Sequence, residues 1–176
     1  MCGLIRKRFD GCSLEGIFSK LNCTFQTSLP AMDFDLPNEQ SEMIENLDRN
    51  NLLIIDSDIR VLASLDTAFT NQGFRVVKHT RGECGLVSVQ RQLPDCVLVE
   101  VDLMDMCGIE LCRTVVDEAT TCGIPVIVMS HPSTVSMMQR ARHAGAHFYV
   151  AKPYDPKVML HLVNDAIAES RSWICD

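Results

Sequence analysis

The chain has 176 residues, 47% of them hydrophobic, which suits one compact domain with a sizeable core plus an appendage. A formal net charge of −7 argues against a general nucleic-acid or anionic-membrane binder, because both need a basic surface. Nine cysteines without a C-x-x-C (Cys2, Cys12, Cys23, Cys84, Cys96, Cys107, Cys112, Cys122 and Cys175) point to reduced thiols rather than zinc or a disulfide framework.

Residues 1–50 form an N-terminal arm of distinct texture. Arg6-Lys7-Arg8 precedes no apolar segment of signal-peptide type, and no apolar run approaches the ~20 residues of a membrane helix, so the cytoplasm is favoured. Leu14, Ile17, Phe18, Leu21 and Phe25, with Ser13 as N-cap, predict a short amphipathic helix. It docks on a partner or, with the basic cluster before it, makes a weak membrane-surface contact; otherwise it covers its own domain or does not fold alone, since so short a helix is marginal in water. From there to Asp48 no Lys or Arg occurs, while Asp33, Asp35, Glu39, Glu42 and Glu45 accumulate around Pro30 and Pro37. That composition predicts a solvated acidic linker.

From residue 51 to 170 the pattern is regular. A short apolar strand at 52–55 ends in Asp56-Ser57-Asp58, and a helix follows over about 59–71 with Ile59, Leu62, Leu65 and Phe69 as its buried stripe. Residues 75–78 predict a second strand, and residues 83–92 a second helix. The stretch 94–108, PDCVLVEVDLMDMCG, is a continuous apolar run entered through a Pro-Asp turn and left through Glu100, Asp102 and Asp105. Such a run suits a strand buried on both faces of a parallel sheet. Ile109, Cys112, Val115 or Val116, and Ala119 mark a third helix; residues 126–129, ending in Ser130, mark a fourth strand. Val135, Met138 and Ala141 place a fourth helix before Gly145. Residues 148–151, closed by Lys152-Pro153, are the last strand, and Val158, Leu162, Val163 and Ala166 supply the inner face of a helix opened by Pro156. Five strands alternating with five helices predict a parallel sheet covered on both sides. A tail of residues 171–176 remains.

In such sheets ligands sit outside the carboxyl ends of the strands. Asp56 and Ser57 after the first strand, Glu100 after the third, Ser130 after the fourth and Lys152 after the fifth therefore predict one small pocket of carboxylates, hydroxyls and an ammonium. These residues, with Ala144-Gly145-Ala146, Tyr149 and Lys152-Pro153 in the same order, resemble the receiver domain of bacterial response regulators. The resemblance implies a flavodoxin-like sheet of order 2-1-3-4-5. It also implies an aspartate phosphoacceptor after the third strand, an acid pair that holds Mg²⁺, a lysine and a Ser or Thr on the phosphoryl oxygens, and an aromatic switch residue.

The chain departs from that pattern at the chemistry. Glu100 stands at the phosphoacceptor position, Ser57 where the second carboxylate belongs, Met104 at the usual proline and Cys107 at the usual aspartate. Ser130, Tyr149 and Lys152 match. Glutamate is one methylene longer than aspartate, and a misplacement of roughly 1 Å can cost ~10²-fold in rate. Asp56 without its partner carboxylate leaves a weak Mg²⁺ site, with Asp58 completing the acidic pocket.

The expectation is a non-enzymatic module that binds a protein partner, a histidine kinase or a downstream effector, with Glu100 as a fixed phosphoryl-like charge. The alternatives are an active phosphoacceptor using Glu100 or Asp102 with Mg²⁺, Asp105 being a further candidate, and a structural Glu100–Lys152 ion pair without a switch. A flavodoxin-like flavin or nucleotide binder lacks its glycine-rich loop here. His131 borders the expected pocket, His143 and His147 read as surface histidines, and dimerisation through the last two helices stays open.

Overall fold

The computed structural model describes residues 49–131 and 134–172, so the expected amphipathic helix, the acidic linker up to residue 48 and residues 173–176 lie outside the described residues. Strands β1 (Asn51–Ile55), β2 (Arg75–His79), β3 (Cys96–Glu100), β4 (Val126–Ser130) and β5 (Phe148–Ala151) alternate with helices α1 (Ile59–Thr70), α2 (Gly82–Gln92), α3 (Gly108–Asp117), α4 (Val135–His143) and α5 (Pro156–Ser172). All neighbouring strands are parallel, in the order β2-β1-β3-β4-β5. Arg171 and Ser172, expected in the tail, instead continue α5.

β3 and β4 are buried along their whole length, because helices cover both faces of the sheet. Alternate residues feed two cores. On one face Leu52, Ile54, Leu98 and Met129 meet Leu65 and Phe69 of α1 and Met159 and Val163 of α5. On the other, Ile55, Val97 and Val128 meet Val89 of α2, Leu111 and Val115 of α3 and Ala141 of α4. Phe69, fully buried, stacks edge-on against Phe74 with ring centroids 5.3 Å apart.

Local chemistry sets the helix ends. Asp58 is the N-cap of α1 and accepts from the Arg60 amide at 2.8 Å; Thr134 caps α4 by accepting from the Met137 amide. Gly108 opens α3 where the chain passes close to β3: a Cβ there would collide with the Glu100 carbonyl.

Four predicted inner-face residues point outward. Ile59, Val135, Met138 and Val158 are exposed; α4 buries only Ala141, and α5 buries Met159, Val163, Ala166 and Ile167. Ala119 lies beyond the end of α3. In α1 and α5 the buried stripe meets the sheet and the outlying residue falls at its edge.

Candidate functional site at the carboxyl edge of the sheet

The ends of β1, β3 and β5 bring Asp56, Glu100 and Lys152 together. Register pairs Ile55 with Val99 and aligns Glu100 with Met129, which places Asp56 and the Glu100 side chain at one level of the sheet. Lys152 follows β5, with its amide on the Ser130 carbonyl at 2.9 Å. Its ammonium reaches Asp56 Oδ2 at 2.5 Å and forms a second ion pair with Glu100 Oε2. All three side chains are largely withdrawn from water, at 2%, 8% and 17% exposure for Asp56, Glu100 and Lys152. The second Asp56 oxygen, Oδ1, accepts from the Asp58 amide at 2.9 Å.

The electrostatics follow from that burial. Loss of water pushes the Glu100 carboxyl above its usual value; Lys152 pulls it back, and the nearby Asp56 charge adds to the rise. For Lys152 burial acts to lower the value, but the two carboxylates outweigh it and the ammonium is held above its ordinary range. The Tyr154 phenol is likewise pushed up, by burial and then by Asp56 and Glu100, and its hydroxyl sits 3.4 Å from Met129 Sδ.

The pocket is larger than the small one expected. A cavity of about 740 Å³ runs from the triad past Ser57 and Asp102 to Val61, Leu65 and Tyr154. His131 borders it, with Nδ1 3.2 Å from the Lys152 carbonyl. Tyr154 and the apolar wall were missed by sequence reading, because their contact is made across the sheet edge and leaves no local signature. Arg60 was missed too, although its spacing from Asp58 was a usable signal: the two form a paired salt bridge at 3.0 Å.

The other predicted residues take different places. Asp58 lines the cavity, but its carboxylate caps α1. Ser57 Oγ is buried without a hydrogen-bond partner. Ser130 is fully buried, its hydroxyl 3.9 Å from Met137 Sδ. The half-buried Tyr149 packs on the α2/α3/α4 side, its hydroxyl buried and unpartnered. Asp102 is exposed on the cavity rim and bridges to Cys107.

Asp105 is turned away to another task. Its two oxygens accept from the Gly82 and Glu83 amides at 2.9 and 3.0 Å, capping α2 from a distant loop. Those bonds hold its carboxyl below the usual range. His143 is exposed, and His147 pairs with Glu169 at 2.8 Å. Among the described residues no group of three His, Cys, Asp or Glu side chains is placed to hold a metal, and the described cysteines are free thiols. Burial pushes the Cys112 thiol up to about 12.

A five-stranded parallel sheet of order 2-1-3-4-5, with acids after β1 and β3 and a lysine after β5, defines the flavodoxin-like signalling class. Residues 52–164 match the response regulator receiver domain family, and the chain belongs to that family, a component of two-component signalling. The transcriptional regulatory protein CseB of Streptomyces coelicolor is 32% identical over 113 residues, 64% of this chain and 47% of CseB, so the chain spans about half of that relative's length. Protein PilH of Pseudomonas aeruginosa is 26% identical over 66% of this chain and 97% of its own. A CheY-like receiver domain structure from Methanospirillum hungatei superposes with a TM-score of 0.67 at 22% identity, covering 71% of this chain and 98% of that one, which shows the shared fold. Among the described residues no helix is long and apolar enough to cross a membrane.

Proposed function

We propose that this chain is an atypical receiver module of a two-component or phosphorelay system. It acts in the cytoplasm by binding a protein partner, a histidine kinase or a downstream effector, and is not itself an enzyme. Residues 51–170 carry that role, and Glu100 stands as a permanent charge where the family places its phosphoacceptor.

The observation that carries this reading is the ion-pair triad: Glu100 reaches Lys152, the residue expected to contact a phosphoryl group, and Lys152 also holds Asp56. A carboxylate that already satisfies the lysine supplies the contact that phosphorylation would otherwise create. The buried Tyr149 hydroxyl agrees with an aromatic switch turned inward. A bias of a few kcal/mol suffices to shift such a two-state surface, and one buried charge pair is of that scale.

Two measurements test the reading. Intact-mass analysis after incubation with a small acyl-phosphate donor and Mg²⁺ is expected to show no phosphoryl gain on the wild type and a gain on the double variant S57D/E100D. Backbone amide spectra of E100Q are expected to shift at Tyr149 and along α4. Unchanged α4–β5 resonances in E100Q would falsify the fixed-charge role; labelling of the wild type at Glu100 or Asp102 would instead make it an active acceptor.

A further inference from the structure

Receiver domains commonly bind Mg²⁺ at the phosphorylation site, and this carboxyl edge is a test of whether these residues fit one. Mg²⁺ demands near-octahedral oxygen coordination at about 2.0–2.1 Å and relies on one or two carboxylates free to face it. Here the two buried carboxylates share one ammonium, while Asp102 stands exposed on the cavity rim. Asp56 Oδ1 accepts from the Asp58 amide, Asp56 Oδ2 holds Lys152, and Glu100 Oε2 holds the same ammonium. The third position is Ser57, a neutral hydroxyl, buried and without a partner. The donor set does not fit the metal.

We propose that the Lys152 ammonium is the resident cation of this pocket, a tethered replacement for the divalent ion. The geometry supports it from both ends of the residue. The Lys152 backbone is fixed to Ser130 and His131 through its amide and carbonyl, while its side chain, 17% exposed, spans to the acids of two other strands. A tethered cation acts at an effectively constant concentration, so the partial charge compensation of Asp56 and Glu100, one ammonium for two carboxylates, does not depend on metal supply. Ser57 supplies no charge for a second cation, and two carboxylates are left to share one ammonium. The β5–α5 connection is thereby held to β1 and β3 whether or not Mg²⁺ is present. This inference rests on the reading of the edge as a receiver pocket, but not on Glu100 acting as a signal.

The test is Mn²⁺ binding followed by electron paramagnetic resonance, together with thermal melting against Mg²⁺, on the full chain. Wild type is expected to bind no Mn²⁺ at millimolar metal and to melt at the same temperature with or without Mg²⁺. K152M frees both carboxylates; it is expected to melt lower, to be restored by Mg²⁺, and to bind Mn²⁺ at least about tenfold more tightly than wild type. K152R keeps the charge and is expected to stay as blind to metal as wild type. Mn²⁺ uptake by the wild type or by K152R overturns the proposal, as does a folded K152M that binds metal no better. The wild-type titration decides the matter even if K152M does not fold. A metal-blind wild type with unmoved α4–β5 resonances in E100Q keeps this inference and removes the signalling role; the reverse pattern does the opposite.

Discussion

Lys152 shows how one side chain can set the state of a whole edge. Removing it leaves Asp56 and Glu100 as unpaired buried charges, and the loss of one partner of such a pair costs about 3–5 kcal/mol. Urea unfolding of K152M in metal-free buffer is expected to show a loss of that size. The pH dependence follows from the directions of the shifts. Glu100 is raised in the fold, so the folded state holds its proton more tightly, and the site gains stability as pH falls from the raised value toward the ordinary 4.5. Lys152 is also raised, so its contribution is complete below 10.5 and is lost as pH climbs through the folded value. E100Q is expected to abolish the acidic part of that profile and keep the alkaline part only through Asp56, as read from denaturation curves at stepped pH. Gly108 sets a steric limit at the same place: G108A pushes a Cβ into the Glu100 carbonyl, and overpacking of this kind costs roughly 1–3 kcal/mol.

At the scale of elements, the loop after β3 and the start of α2 are one unit. The N-cap position of α2, Arg81, makes no side-chain cap, and Asp105 supplies both acceptors from the other loop, with Arg81 Nε 3.6 Å away. D105A is expected to lower the melting temperature and to speed hydrogen exchange at the Gly82 and Glu83 amides above all others in α2. A loss confined to α3 would sink this assignment. Helix α4 is the opposite case. It buries only Ala141 and leaves Val135 and Met138 exposed, whereas α3 buries five residues: Gly108, Ile109, Leu111, Cys112 and Val115. Few buried contacts mean a low cost of local opening, so α4 amides are expected to exchange faster than those of α3 and α5. Easy opening of α4 next to Tyr149 would agree with the switch surface proposed above, and equal protection across the three helices would count against it.

The whole molecule is stabilised by a sheet buried on both faces. Phe69 lies where α1 meets that sheet, and F69A is expected to cost about 3–5 kcal/mol in chemical denaturation. At the opposite edge, Asp95 accepts from the Asn51 amide at 2.7 Å and from Arg171 at 2.9 Å, while Arg171 also reaches Asn50. This clasp joins the start of β1 to the end of α5. Arg171 is more than half exposed, so R171A is expected to cost no more than about 1 kcal/mol, with screening by salt. A protein trimmed to residues 49–172 keeps both cores and the clasp, and is expected to unfold in one transition.

The sequence by itself determined the five strands, the five helices and the edge where chemistry collects. Continuous apolar runs closed by acids or by Lys152-Pro153 are local signals, and a buried parallel strand leaves no other pattern. That Ser57 and Glu100 depart from the family's residues is a reading of the sequence alone. The tertiary structure decided what those residues touch. That one ammonium serves both Asp56 and Glu100, that Asp105 caps a helix more than twenty residues away, and that Tyr154 and Val61 widen the pocket are all contacts between segments remote in sequence. The phase of the amphipathic helices was decided the same way. Periodicity identifies a stripe, but only packing against the sheet determines which edge residues are excluded from it, and so Ile59, Val135, Met138 and Val158 face the solvent.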